Sequence, residues 1–239
     1  MPSSPPRPRA TSWQPAEVIG ITDETKRAKT FRLRLSDRQA HLAGQHYVVR
    51  LTAPDGYTAS RSYSVASAPD DPAEIELTVE RLPDGEVSTF LHDELRVGDE
   101  LEVRGPIGGW FVWDGASPAT LIGGGSGVVP LMAMLRLARL QARPELVHLL
   151  VSVRAPEDLL FADELGGDGA TVVYTRAAPP ATVRPVGRLT SADLAAVLLP
   201  GATVYICGSS GFADRVTDLL GQNGVPADRI RVERFGPTG

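Results

Sequence analysis

The hydrophobic spacing changes period once, near Asp114-Gly115-Ala116-Ser117-Pro118, and that change limits the chain to two unlike halves. Before it, Phe31, Leu33 and Leu35 alternate with Arg32 and Arg34. Tyr47, Val49 and Leu51 repeat the pattern, and Ile75, Leu77 and Val79 alternate with Glu76, Thr78 and Glu80. A period of two predicts strands with one buried face. The intervening Pro54-Asp55-Gly56, Ala68-Pro69-Asp70-Asp71 and Pro83-Asp84-Gly85 predict tight turns, hence an antiparallel sheet or barrel over 14–113, with one helix at 87–95. After the change, apolar runs at 120–122, 146–153, 171–174, 203–207 and 230–232 are separated by helical stretches at 129–140, 158–165, 191–198 and 212–220. Strands separated by helices require right-handed crossovers, so 117–239 reads as a mostly parallel α/β domain with its ligands at the carboxyl ends of the strands.

Composition removes other classes. The 239 residues hold one cysteine, Cys207, which cannot build a disulfide framework, a cysteine-rich zinc site or an iron–sulfur cluster. His41, His46, His92 and His148 have no metal-ligand spacing, so no metal is expected. A net charge of −5 argues against a nucleic-acid partner, and no apolar run reaches the roughly 18–20 residues of a membrane span. Residues 1–13 begin with a stretch rich in Pro, Ser and Arg and are expected to be a disordered tail; without an export signal there, the cytoplasm is the expected compartment. A monomer or weak oligomer is expected.

Three places are arranged for a ligand. Gly123-Gly124-Gly125-Ser126-Gly127 follows an apolar strand and opens a helix, where free N–H groups and close backbone approach suit a diphosphate. Val128 occupies the position where a dinucleotide fingerprint or a nucleophile elbow needs glycine, and no Gly-Lys-Ser/Thr follows, so those motifs fail; a glycine turn without ligand is the alternative. Arg154 and Arg176 end two successive strands, where arginine favours a nucleotide 2′-phosphate over a free 2′-hydroxyl; plain surface arginines are the alternative. In the first half, Arg61-Ser62-Tyr63-Ser64 could hold a phosphate, stack on a flat ring and bond its edge, while Gly85-Glu86-Val87-Ser88 offers a helix start for an anion.

Taken in order, Arg61-Ser62-Tyr63-Ser64, Gly85-Glu86-Val87-Ser88, Gly123 to Gly127 with Pro130, and Cys207-Gly208 resemble the ferredoxin-NADP reductase family of flavoproteins, from about residue 14 onward. The resemblance implies a six-stranded antiparallel flavin-binding β-barrel, followed by a parallel-sheet α/β domain for the nicotinamide nucleotide. FAD and NADP, or NAD, are the implied cofactors. It implies that Arg61 contacts the flavin diphosphate, Tyr63 stacks on the isoalloxazine with Ser62 beside it, and Ser64 bonds near N5. Val79 and Arg81 add flavin contacts, His46 lies near the flavin, and Gly85, Val87 and Ser88 hold its diphosphate. Gly124, Gly125, Ser126 and Gly127 pass under the nucleotide diphosphate. Cys207 sits beside the nicotinamide C4, Gly208 allows close approach, Phe235 covers the flavin, and Glu233 is the nearby acid.

The implied activity is hydride transfer from NAD(P)H, with NADPH favoured, to FAD, and then electrons to a separate acceptor such as ferredoxin, a haem protein, an oxygenase component or a molybdenum enzyme subunit. A flavin or ferric-chelate reductase is the alternative, as is a non-catalytic relay or nucleotide-sensing subunit. With one cysteine the chain is expected to lack a fused plant-type ferredoxin domain and to act as a stand-alone reductase.

Overall fold

A computed structural model describes residues 12–236 apart from 38, 72 and 168. The first half forms β1 (Gln14–Thr25), β2 (Ala28–Leu35), β3 (His46–Thr52), β4 (Thr58–Ser64) and β5 (Glu74–Glu80), then helix α1 (Glu86–Asp93) and β6 (Glu100–Ile107). The sheet order is β4-β3-β6-β1-β2-β5, antiparallel throughout. A bridge between Val65 and Leu77 joins the two outer strands and closes the barrel.

The alternation read from the sequence sets the register. Phe31 faces Leu77 and Leu33 faces Ile75, so the apolar set of both strands points inward with Tyr47, Val49 and Val103. The intervening Arg32 points outward to Glu74, bonded by its Nε at 2.8 Å. A Cβ at Gly105 would lie 2.5 Å from the Tyr47 ring, so the glycine makes room for the largest side chain of the barrel interior.

The second half forms β7 (Ala119–Gly124), α2 (Val129–Leu140), β8 (Val147–Val153), β9 (Ala170–Tyr174), α3 (Ser191–Ala195), β10 (Thr203–Ser209), α4 (Ser210–Gln222) and β11 (Ile230–Phe235). The parallel order is β11-β10-β7-β8-β9. Leu121, Leu149, Tyr205 and Cys207 pack in one core with α2, while Ile122, Leu150, Val204 and Ile206 pack in another with α3 and α4. The chain runs outward from β7 in both directions, so β7 and β10 flank the topological switch point where such sheets bind ligands.

Three expectations need correction. Residues 158–165 are not helical: two single 3₁₀ turns, Pro156–Asp158 and Ala162–Glu164, flank Phe161 in left-handed conformation at φ 56°. Leu159 is extended at ψ 110° and Phe161 is left-handed, so a right-handed helix is interrupted at both. The helix predicted at 191–198 ends at Ala195. Of the expected tail, residues 1–11 lie outside the described residues, but Trp13 is held in place, with the guanidinium carbons of Arg50 and Arg104 4.1 and 4.9 Å from its ring.

The segment between the halves is no loose hinge. Trp113 is bridged to Ala43, and its Nε1 donates to the Ser117 carbonyl at 2.9 Å. Ala28, Ala43, Ala66 and Ala68 of the barrel half belong to the same buried cluster as α2. No helix among the described residues is long and apolar enough to cross a membrane.

Candidate functional site

A cleft of about 1150 Å³ lies between the barrel and the parallel sheet. It exceeds the roughly 300–1,000 Å³ of a pocket for one small ligand. One wall carries Arg61, Ser62, Tyr63 and Ser64 of β4 with Gly85, Val87 and Ser88 at the start of α1. The other carries Gly124, Gly125 and Ser126, the strand-end arginines Arg154 and Arg176, and Glu233 and Phe235 of β11. Motifs more than a hundred residues apart thus converge on one space.

On the barrel wall, strand alternation turns Tyr63 half into the cleft, where burial raises its phenol above the usual range. Arg61 donates from Nη1 to the Ser60 carbonyl at 2.8 Å and has no carboxylate partner among the described residues, leaving most of its donors free. Ser64 is buried at the strand end opposite His46, whose pKa burial lowers. Gly85 is the N-cap of α1 and offers no side-chain cap, so the first backbone N–H groups of the helix keep their donors for another partner. The Ser88 hydroxyl is already engaged: it donates to the Gly85 carbonyl at 3.0 Å and accepts from the Leu82 N–H at 3.2 Å. Ser88 therefore shapes the turn with its side chain, and only its N–H is available to an anion.

On the opposite wall, Gly125 turns with φ 55°, in the left-handed region that glycine tolerates at little cost. A Cβ on Gly124 would lie 2.7 Å from the Phe212 ring, and one on Gly127 would lie 2.1 Å from the Cys207 carbonyl oxygen. The turn is a backbone cradle pressed against β10 and the first turn of α4. Arg176 donates its backbone N–H to the Arg154 carbonyl at 2.9 Å, which brings the two strand-end arginines side by side. Arg188 and Arg215 line the same cleft. None of these four has an ion pair among the described residues. Burial pushes the Glu233 carboxyl up to about 7, so it can hold a proton near neutrality.

Five residues singled out in the sequence do not line the cleft. Val79 points into the barrel, 1% exposed, and its carbonyl faces His92 Nε2 at 2.9 Å. Arg81 turns away to pair with Asp93 at 2.7 Å. Cys207 is wholly buried beneath Gly127, where burial and then Glu233 push its thiol pKa up; it lies under the cleft surface. Gly127 and Gly208 likewise sit behind the wall, packed on backbone and on Phe212. Conversely, Phe212, Arg188 and Arg215 are cleft residues that pattern alone did not select. Arg215 follows Phe212 by three positions on α4, a same-face spacing that could have found it; Arg188 lies in an irregular loop and had no such signal.

Free guanidinium groups, two uncapped helix starts, an aromatic edge and a backbone cradle that side chains would fill are the donor set two phosphate-bearing cofactors require. A barrel and a doubly wound sheet that share such a cleft define a two-domain flavin and pyridine-nucleotide oxidoreductase.

Residues 15–112 match the oxidoreductase FAD-binding domain and residues 121–218 the oxidoreductase NAD-binding domain. The chain belongs to the ferredoxin-NADP reductase-like family of FAD- and NAD(P)-binding oxidoreductases. It is 32% identical over 197 residues to the reductase component of propane 2-monooxygenase from Rhodococcus jostii (strain RHA1), covering 75% of this chain and 52% of that one. It is 37% identical over 204 residues to a flavohemoprotein of Pseudomonas putida (strain KT2440), covering 81% and 51%. The FAD/NAD-binding domain of nitric oxide dioxygenase from Vibrio cholerae superposes with a TM-score of 0.81 at 27% identity, covering 94% of this chain and 99% of that one. The chain spans about half the length of the curated relatives it matches.

Proposed function

We propose that this chain accepts reducing equivalents from NADPH in preference to NADH and delivers electrons to a separate redox protein. One observation carries the reading: a Tyr- and Arg-bearing strand and a glycine cradle face each other across a single cleft. In this reading Arg61 and the first N–H groups of α1 hold the flavin diphosphate, Tyr63 and Ser64 hold the ring, and Gly124 to Ser126 hold the nucleotide diphosphate. When bound, the flavin supplies the redox chemistry, converting a two-electron donor to one-electron delivery. The chain's own residues align the two ligands, exclude water between the walls, and keep a proton available at Glu233. The preference for NADPH is supported by four cleft arginines, Arg154, Arg176, Arg188 and Arg215, that have no ion pair among the described residues. A separate acceptor is supported by the relative named as a reductase component of a monooxygenase.

Arg154→Ala and Arg176→Ala are expected to raise the KM for NADPH by about tenfold or more each, the worth of one charge-assisted hydrogen bond of roughly 1.5–3 kcal/mol. The KM for NADH should stay nearly constant. Steady-state kinetics with both nucleotides, against a protein acceptor and against ferric complexes, check this. Equal losses for both nucleotides would remove the 2′-phosphate role, and equal turnover of both acceptors would favour the diffusible-acceptor reading.

A further inference from the structure

We propose that Arg136 is a positioning residue for hydride transfer, locking the strand that carries Ser64 to the helix that begins at the glycine cradle. The proposal rests on the function proposed above. Arg136 lies about two turns into α2, the helix that follows Gly123 to Gly127. Its Nη1 reaches across the domain boundary to two groups of the barrel half, the Ala66 carbonyl at 2.9 Å and Glu76 Oε2 at 2.8 Å. Ala66 is two residues beyond Ser64, and Glu76 lies on β5. The rest of the guanidinium is held within its own domain: Nε donates to Glu164 Oε2 at 2.9 Å, Nη2 donates to the other oxygen of Glu164, and the group lies 5.1 Å over the Phe161 ring.

A second polar tie crosses the boundary beside the first. The Phe161 N–H donates to Glu24 Oε2 at 3.1 Å, and Glu24 Oε1 accepts from Thr30 Oγ1 at 2.7 Å. Thr30 in turn pairs with Thr78 at 2.8 Å. Thr78 lines the cleft, as does Leu160, the neighbour of Phe161. On the barrel wall the first tie ends two residues from Ser64 and from Thr78, and the second tie ends beside Thr25 on one wall and Leu160 on the other, all four lining the cleft. They also account for the left-handed Phe161, which aims its N–H at Glu24 while placing its ring under Arg136.

The apolar seam around these ties presents Ala28, Ala43, Ala66 and Ala68 from the barrel half. Burial of such small side chains favours contact but is non-directional, and does not by itself fix how one domain slides on the other. A planar guanidinium with four of its donors each on a separate acceptor atom does fix it. Reaction between two bound rings is sensitive to offsets of about 1 Å, which can cost on the order of a hundredfold in rate.

The test compares wild type with Arg136→Lys and Glu76→Ala, which weaken the inter-domain tie, and with Glu164→Gln, which keeps both barrel contacts and alters only the contact inside the α/β domain. Protein loaded with FAD is mixed anaerobically with NADPH, giving a limiting reduction rate and an apparent Kd, while hydrogen exchange of the Phe161 amide is followed without nucleotide. Arg136→Lys and Glu76→Ala are expected to lower the limiting rate by roughly tenfold, with flavin content and apparent Kd unchanged and faster Phe161 exchange. Glu164→Gln is expected to lower Tm without lowering the limiting rate. An unchanged limiting rate in the first two variants, or an equal fall in all three, would overturn the positioning role. If wild type itself is not reduced by NADPH, the function proposed above fails, and the Phe161 exchange still reports whether Arg136 ties the domains.

Discussion

Gly127→Ala is expected to leave flavin uptake intact and to lower the rate of flavin reduction by NADPH by about a hundredfold or more. The added Cβ would meet the Cys207 carbonyl oxygen at 2.1 Å, its carbonyl carbon at 2.4 Å and the Gly208 nitrogen at 2.6 Å. All three are backbone atoms near the carboxyl end of β10, which is paired on both sides, so no side-chain rotation relieves the clash. Either the turn lifts off β10 or β10 bends, and in both cases the N–H array at the start of α2 is lost to the nucleotide. The barrel has its own core, built on Phe31, Tyr47 and Ile75, and should still take up FAD. Flavin-to-protein ratio and anaerobic stopped-flow reduction check the two halves separately. Gly125→Ala is the control: it has open space around its Cβ and only the cost of a left-handed alanine, about 1–2 kcal/mol. If Gly127→Ala were no worse than Gly125→Ala, close packing of the cradle on β10 would not be what the site depends on.

Arg61→Ala is expected to yield protein that loses its flavin during purification. Arg61 commits one donor to the Ser60 carbonyl and presents the remainder to the cleft, with no carboxylate to neutralise it among the described residues. Charge-assisted hydrogen bonds to phosphate contribute about 1.5–3 kcal/mol each, so losing them should weaken FAD binding by roughly one to two orders of magnitude. Titration of apoprotein with FAD, followed by quenching of flavin fluorescence, gives the Kd directly. Arg61→Lys should recover part of the affinity, because a point charge remains without the fork. An Arg61→Ala protein that binds FAD as tightly as wild type would place the diphosphate elsewhere.

The two-domain architecture was legible because its cause is local. Strands with one wet face show period two, as in Phe31, Leu33 and Leu35 with Arg32 and Arg34 outward, and the parallel half shows apolar runs between helices. The glycine cradle was legible because glycine is favoured where Gly125 turns at φ 55° and because no side chain fits where Gly124 and Gly127 press on Phe212 and on β10. Depth was not legible. Cys207 ends an apolar strand in the sequence, yet alternation sends Tyr205 and Cys207 toward α2, beneath the cleft, and it is Ser209 that reaches the surface. Val79 and Arg81 alternate correctly, but Val79 fills the barrel and Arg81 finds Asp93, a partner twelve residues on. The segment 158–165 carries the polar and apolar content of a helix, but its course breaks at the left-handed Phe161, whose N–H bonds Glu24 across the boundary and whose ring lies under Arg136 of its own domain, partners distant in sequence. Arg188 comes to the cleft by long-range folding, which no spacing within its own loop encodes, whereas Arg215 follows Phe212 at same-face spacing on α4.

The central claim is that one cleft brings a flavin and a nicotinamide nucleotide together for transfer between them. Anaerobic titration of the FAD-loaded protein with NADPH, followed in the visible flavin band, tests it most directly. Complete bleaching at one NADPH per flavin is the predicted result. A protein that takes up no FAD, or whose bound FAD stays oxidised while NADPH binds, would contradict it.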